Sequence, residues 1–326
     1  MSLDSDVIVD RRRIRRKLTF WRVAAAVVAI AAIVTIGVIA APGGSGALTA
    51  SGSIARINIE GLIRSDLDRV EALERLEKSQ AAAVIVHINS PGGTTAGSEQ
   101  LYDALVRLKA KKPLVVVVDG LAASGGYIAA IAADHIVAQQ SSLVGSIGVL
   151  FQFPNFTELL KTVGVKVEEV KSSPLKAAPN GFEPTSPEAR AALDALVKDS
   201  YAWFRGLVNA RRGMDDELLE KVADGRVFTG HQAVDLKLID QLGDEKTAIA
   251  WLVAQKNVKS DLPVRNFKLA PRFGDLTFLR AAASITLDAF GLGAIARQME
   301  QAGVAQAVDR LGLDGMLALW HPAGTN

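Results

Sequence analysis

The sequence predicts an α/β protein built on parallel strands, because apolar strand patterns alternate along it with segments of helical spacing. Strand patterns cover residues 54–59, 82–88 and 114–118, and helical spacing of apolar residues covers 67–78 and about 95–109. Parallel strands joined by helical crossovers account for this alternation. The chain has 326 residues, 49% of them hydrophobic, which is enough for one large domain with accessory segments or for two modest domains.

The composition excludes several classes of function. Lysine and arginine (37) nearly balance aspartate and glutamate (35), so nucleic acid is not an expected partner. The chain has no cysteine, which excludes disulfides, thiolate catalysis and cysteine metal sites. No pair of histidines or carboxylates has metal-ligand spacing on one helical face, and no phosphate-binding loop ends in Gly-Lys-Ser or Gly-Lys-Thr. We therefore expect neither a metal nor a cofactor.

The N-terminal region has the pattern of a membrane anchor. A polar segment, residues 1–17, ends in a cluster of arginines and a lysine, and residues 23–41 then carry no charge. At about 1.5 Å per residue, this run is close to the hydrocarbon thickness of a bilayer. We predict a cytoplasmic basic segment at 1–17 and a transmembrane helix at 18–41, with the next domain across the membrane. A cleaved signal peptide is the alternative, because small residues occur at Ala40 and Ala41.

Three regions follow the predicted anchor. Residues 42–52 are rich in Gly, Ser, Ala and Thr, which is typical of a flexible linker. The α/β pattern then covers 53–259. Residues 260–326 alternate Pro and Gly with apolar stretches such as 278–290, and they predict a helical C-terminal extension. That extension could pack on the same chain, contribute to an oligomer or lie on the membrane.

The strongest chemical signal is a serine that follows the third strand pattern. The apolar run at 115–118 gives way to a small-residue turn, and Ser124, Gly125 and Gly126 then precede a buried helical pattern. A serine at such a strand-to-helix elbow presents its hydroxyl beyond the strand, beside the Gly125 amide at a helix N-terminus. This geometry suits a nucleophile with an oxyanion donor. The alternative is a serine that only caps the helix.

A second small-residue turn follows the preceding strand pattern. It reads Asn89-Ser90-Pro91-Gly92-Gly93. In a parallel sheet this turn lies at the same edge as the serine elbow, and glycine lets a backbone amide approach a substrate closely. We therefore predict Gly92 or Gly93 as the second oxyanion donor, the alternative being a tight turn without a chemical role.

Four motifs, in matching order and spacing, make the sequence resemble the bacterial signal peptide peptidase (SppA) family. These motifs are residues 89–93, Ala123-Ser124-Gly125-Gly126-Tyr127, Gly145-Ser146-Ile147-Gly148-Val149 and Gly225-Arg226-Val227-Phe228-Thr229-Gly230. Members are serine peptidases with a Clp/crotonase-like spiral core of parallel strands and helices. The resemblance implies a Ser-Lys dyad with Ser124 as nucleophile and Lys176 as general base, and with Ser146 holding the lysine.

The residues around Lys176 agree with that role. A lysine ordinarily titrates near pH 10.4 and needs an apolar, charge-poor setting to act as a base near neutral pH. Residues 174–179 contain no other charged residue, although a solvated surface lysine is the alternative. The other lysines of this region have glutamates nearby and are interpreted as surface charge, on a helix near 155–162 and a strand around residue 167: Lys161, Lys166 and Lys171.

One residue bears on a competing catalytic scheme, and another departs from the pattern of the family. A Ser-His-Asp triad is the competing catalytic scheme, but His135 follows Ser124 by only eleven positions and is interpreted as structural. The family usually has glycine where Lys237 stands, after a predicted helix. If that position is left-handed, lysine costs about 1 kcal/mol and leaves the chemistry untouched.

The resemblance implies a membrane-anchored serine endopeptidase that degrades short apolar peptides, such as remnant signal peptides, through an acyl-enzyme. It implies a single-pass protein of the bacterial inner (cell) membrane with a catalytic domain in the periplasm or outside the cell. It also implies a homo-oligomer in which Ser124 and Lys176 come from neighbouring subunits, so that within one chain they lie beyond the hydrogen-bond reach of about 3 Å. Two alternatives remain: a crotonase-type acyl-CoA hydratase or isomerase, and a non-catalytic membrane scaffold.

Overall fold

The computed structural model describes residues 52–269 and the short strand 317–319. The helices are α1 (Leu67–Glu77), α2 (Thr95–Lys109), α3 (Gly125–Ala130), α4 (Thr157–Thr162), α5 (Pro187–Arg212), α6 (Asp216–Val222), α7 (Gly230–Asp235) and α8 (Glu245–Lys256). The strands are β1 (Ser53–Ile63), β2 (Ala81–Thr94), β3 (Leu114–Ala123), β4 (His135–Ala138), β5 (Leu143–Gly145), β6 (Val227–Thr229), β7 (Gln241–Leu242), β8 (Val264–Asn266) and β9 (Leu317–Leu319).

The strands form one mixed, mostly parallel sheet. Its main order is β6-β5-β3-β2-β1-β8, with β4 between β3 and β7, and with β9 beside β2. The pairs β5–β6 and β2–β9 are antiparallel, and the other pairs are parallel. The predicted α/β class with helical crossovers is confirmed. The strand β8, beyond the predicted boundary at residue 259, pairs with β1.

Alternating apolar residues of the central strands build the core. Ile54, Ile85, Val115 and Val117 belong to one cluster that includes Leu252 of α8, and each is at most 2% exposed. The intervening strand residues point to the opposite face of the sheet, because side chains alternate along a strand. The intervening residues of β2 and β3 are buried as well. The central strands are thus covered on both faces, as expected for parallel strands.

Two strands are longer than the sequence pattern predicts. β3 continues to residue 123, directly before the serine elbow. β2 continues through the predicted turn at 89–93, because Gly92 and Gly93 pair with Leu62 and Ile63 of β1. The prediction of a turn there is wrong. The strand pairing continues instead, with a register shift against β3 between Ile88 and Ser90 and with a φ of 104° at Gly92.

Lys237, where the family usually has glycine, adopts the left-handed conformation. Its φ is 56°, two residues after the end of α7. Its carbonyl accepts a hydrogen bond from Arg212 Nε at 2.6 Å. This bond ties the strained turn to the end of α5.

The predicted localisation is not supported. Within residues 52–269 and 317–319, no helix is long and apolar enough to cross a membrane. The prediction of a single-pass inner-membrane protein is therefore wrong for the part of the chain that the structure describes. The predicted basic segment at 1–17 and the predicted anchor at 18–41 lie outside those residues, as does most of the predicted helical extension.

Candidate active site

Ser124 forms a sharp elbow between β3 and α3. The strand ends one residue before it and the helix begins one residue after it. Its φ of 53° and ψ of −116° are a conformation that residues with a side chain rarely adopt. The Ser124 amide donates to the Gly145 oxygen at 2.7 Å, and its carbonyl accepts from the amides of Tyr127 and Ile128. Backbone bonds on both sides therefore hold the strained conformation.

The Ser124 hydroxyl does not cap the helix. It accepts no hydrogen bond from the first turn of α3, and it has no hydrogen-bond partner among the described residues. The residue is only 1% exposed. A capping serine would accept from an amide of the first turn, so the alternative interpretation as a simple cap does not fit.

The start of α3 lies against the end of β2. A Cβ added to Gly126 would come within 2.6 Å of the backbone carbonyl oxygen of Ser90, so only glycine fits there. Ser90 is fully buried, and its hydroxyl donates to the Gly61 oxygen at 2.7 Å. The Gly92 amide in turn donates to the Ser90 hydroxyl at 3.1 Å. No role was predicted for Ser90 from the sequence, although this residue lies inside one of the four motifs.

The other side of Ser124 adjoins Ser146. Gly145, whose carbonyl binds the Ser124 amide, directly precedes Ser146. Ser146 is 7% exposed, has a φ of 52°, and donates its own amide to the Arg226 oxygen at 2.8 Å. The structure therefore brings Ser146 close to the elbow through the backbone.

Tyr127 anchors α3 behind the elbow. Its side chain is fully buried, and its hydroxyl donates to the Leu238 oxygen at 2.8 Å. Burial raises the pKa of Tyr127, so the phenol stays neutral and remains a donor. This bond fixes the helix that sets the direction of Ser124.

Lys176 is not brought to Ser124 within one chain. It lies in an exposed loop of two overlapping turns, where its amide donates to the Ser173 oxygen and the Ala178 amide donates to the Leu175 oxygen. Among the described residues, no hydrogen bond joins the Lys176 side chain to Ser124 or Ser146. The buried hydroxyl and the exposed amine are thus separate in the single chain.

The segment that carries Lys176 exposes an unusual amount of apolar surface. Eight large apolar side chains between residues 156 and 182 are 42% to 106% exposed: Phe156, Leu159, Val163, Val165, Val167, Val170, Leu175 and Phe182. Elsewhere in the described chain only Leu67 and Leu196 share this exposure. Exposed apolar patches of this kind mark interaction surfaces.

Two histidines of the described chain, His87 and His135, have structural contacts. His135 begins β4, and its ring stacks on that of Trp251 with 4.6 Å between the centroids. His87 lies between Asp119 and Glu245, with a ring nitrogen 2.8 Å from an oxygen of each. No group of three or more histidine and carboxylate side chains in the described residues could hold a metal.

Known protein families and individual proteins are similar to this chain. The model of Peptidase family S49 matches residues 106–259, and that of Clp protease matches residues 60–142. A putative protease of Synechocystis is 37% identical over 210 residues, covering 64% of this chain and 76% of the relative. A putative signal peptide peptidase SppA of Enterococcus faecium is 31% identical, covering 60% and 57% respectively. A ClpP1 structure from Listeria monocytogenes is 16% identical with a TM-score of 0.39, covering 58% and 91%.

The predicted resemblance is confirmed, and the architecture is that of an α/β protein with a Clp-protease-like fold. The chain spans about three quarters of the length of the Synechocystis relative and little more than half of that of the Enterococcus relative. The chain belongs to Peptidase family S49, a family of serine peptidases.

Proposed function

We propose that this chain is a serine endopeptidase with Ser124 as its nucleophile and Lys176 as its general base. The observation that supports this most is the elbow at Ser124, where a strained backbone presents a hydroxyl that has no hydrogen-bond partner among the described residues. Strain of this kind costs about 1–3 kcal/mol and persists at functional sites. A helix cap would not require it.

In the proposed reaction, the neutral Lys176 amine takes the hydroxyl proton while Ser124 Oγ attacks the scissile carbonyl carbon. The carbonyl electrons move to oxygen, and backbone amides stabilise that oxyanion. The intermediate collapses, the peptide C–N bond breaks, and the ammonium returns its proton to the leaving amine. A water molecule then releases the acyl group from Ser124 by the same steps.

The oxyanion donors are the amides of Gly125 and of a glycine of β2. Gly125 is the first residue of α3, where amides lack intrahelical partners. The Gly92 amide already donates to Ser90 Oγ, which favours Gly93 as the second donor. Ser146 orients the lysine amine, in keeping with its backbone link to the elbow through Gly145.

We further propose that the dyad forms between subunits of a homo-oligomer. Lys176 is exposed in the single chain, and it lies on the segment whose eight large apolar side chains are uncovered. A second subunit that covered this segment would bury the lysine and bring its amine to Ser124. A base must lie within about 3 Å of the proton that it takes.

The proposed substrates are short apolar peptides in extended conformation, such as remnant signal peptides. The residues Gly92–Thr94 already accept an antiparallel strand, β9, along the edge away from β1. A peptide bound along this edge would gain the same backbone hydrogen bonds. The name of the enterococcal relative supports signal peptides as the substrate class.

The test combines fluorophosphonate labelling with hydrolysis of apolar peptides by the full chain. We expect Ser124→Ala to abolish both, and Lys176→Ala to lower turnover by about a thousandfold or more. Lys198→Ala is the matched control, since Lys198 is an exposed lysine of α5, outside this segment, and is paired with Asp194 at 2.6 Å. That control should keep full activity. Wild-type turnover in Ser124→Ala would instead support a crotonase-type reaction on backbone amides.

A mixing experiment tests the shared dyad. Ser124→Ala and Lys176→Ala proteins, inactive alone, should regain activity when their subunits exchange, because some mixed contacts then pair an intact serine with an intact lysine. Absence of recovery, with exchange confirmed by differently labelled subunits, would place both residues in one chain.

A further inference from the structure

Four polar side chains close the loop that carries Lys176, and we call them the clasp. Glu169 and Lys171 precede the loop at 172–179, and Asn180 and Glu183 follow it. Lys171 Nζ lies 2.5 Å from Glu183 Oε1 and 2.6 Å from Glu169 Oε2. Asn180 Nδ2 donates to both oxygens of Glu169 at 3.1 Å. The two ends of the loop are thus joined by bonds between residues 11 and 12 positions apart.

The Asn180 side chain has only one orientation that satisfies its neighbours. Its Oδ1 accepts from the amides of Phe182 and Glu183 at 3.0 and 3.2 Å. Its Nδ2 faces the carboxylates of Glu169 and Glu183. Rotating the amide by 180° would set an acceptor against carboxylates and a donor against amides. Both ends of Asn180 therefore contribute to the clasp.

Lys171 is not the solvated surface charge that the sequence suggested. Its side chain is 18% exposed, whereas that of Lys161 in the same segment is 65% exposed. Hydrogen bonds to Glu169 and Glu183 raise the pKa of Lys171, and Lys171 lowers the pKa of Glu183. Lys171 and Glu183 therefore both stay ionised across the neutral range.

The loop depends on the clasp because little apolar packing supports it. A cavity of about 450 Å³ lies against Pro174, Ala178 and Pro179 of the loop, and Val167 and Phe182 also line it. The side chain of Lys176 itself is exposed and makes no hydrogen bond within the described residues. The clasp, at the base of the loop, therefore sets the position of the Lys176 side chain.

We propose that the clasp positions Lys176 for proton transfer, with Lys171 and Asn180 as its positioning residues. This inference rests on the proposed function, in which Lys176 is the base. A displacement of about 1 Å in a catalytic group can cost about a hundredfold in rate. Opening the clasp should therefore lower kcat without removing any group that touches the substrate.

The experiment measures kcat and KM for peptide hydrolysis by full-chain variants. We expect Lys171→Met and Asn180→Ala each to lower kcat by about 10- to 100-fold, with a much smaller change in KM. Lys171→Arg, which can still bind both carboxylates, should recover most of the loss. Lys198→Met, the matched control at an exposed lysine of α5 paired with Asp194, should behave as wild type. Should Lys171→Met fail to fold, Lys171→Arg and Asn180→Ala provide the same comparison.

A double-mutant cycle separates positioning from general damage. If the clasp acts through Lys176, adding Lys171→Met to Lys176→Ala should cause no further loss, because groups of one catalytic unit are not additive. An equal loss in both backgrounds would overturn the proposal. Wild-type kcat in both clasp variants, with Lys176→Ala inactive, would overturn the clasp and leave the proposed function standing. Wild-type turnover in Lys176→Ala would remove both.

Discussion

Replacing Ser124 by glycine should give a more stable protein than replacing it by alanine. Both substitutions remove the hydroxyl, which has no hydrogen-bond partner among the described residues. They differ in the Cβ, which makes the backbone at φ 53° and ψ −116° costly for every residue except glycine. The comparison therefore isolates the backbone strain of the elbow.

The expected difference is about 0.5–2 kcal/mol in favour of glycine. Strain at such a position costs about 1–3 kcal/mol. Glycine ordinarily costs about 0.5–1 kcal/mol relative to alanine, because the unfolded chain gains freedom. Ala129→Gly provides the matched control, since Ala129 is fully buried in α3 and has no positive φ. That control should lose about 1 kcal/mol or more.

Urea unfolding of the full chain measures the effect, as a shift of the midpoint at constant m-value. Neither Ser124 variant should have peptidase activity, so self-digestion does not disturb the measurement. If Ser124→Gly is no more stable than Ser124→Ala while Ala129→Gly shows its ordinary loss, the elbow stores no strain. The observation that carries the proposed nucleophile would then fail.

Three further substitutions have expected outcomes. Tyr127→Phe should cost about 1–3 kcal/mol in urea unfolding, because the buried Leu238 carbonyl loses its donor. Gly93→Ala should abolish peptide hydrolysis, because the new Cβ would lie 1.8 Å from a backbone oxygen of β1 and force the strand ends apart. Hydrogen bonds from Arg56 are the main cause of the lowered pKa of Glu245, so this carboxylate stabilises the fold above its unfolded pKa and ceases to do so as pH falls through its folded pKa. Glu245→Gln should therefore be less stable than wild type near pH 7, with the difference shrinking in unfolding series taken towards pH 3.

The features predicted best from sequence are those decided by neighbouring residues. The valine run of β3, followed by small residues, predicted the elbow at Ser124, because strand propensity and the glycine-rich turn are local properties. The helix α2 has the predicted bounds, and Thr94 caps it by accepting from the Gly97 amide at 3.1 Å. Only the family pattern, which usually has glycine there, raised the possibility that Lys237 is left-handed, as the structure has it.

The features that were missed depend on distant partners. Pro91, Gly92 and Gly93 signal a turn locally, but Gly92 and Gly93 pair with β1 on one side and β9 on the other, so the strand continues through them. The clasp joins residues 11 and 12 positions apart that follow no periodic pattern, so Lys171 resembled an ordinary surface lysine in the sequence. No local rule identifies such contacts before the chain is folded.

The strand predicted around residue 167 does not form in the single chain, and the reason concerns assembly. Val163, Val165 and Val167 alternate as in a strand, yet the chain forms no strand there, and each of the three side chains is at least 45% exposed. A strand needs a partner, and none of the described strands pairs with this segment. In the proposed homo-oligomer, the subunit that supplies Ser124 to Lys176 would also cover these valines. Assembly and the shared dyad are therefore one hypothesis, and full peptidase activity in a species that sedimentation shows to be monomeric would refute both parts.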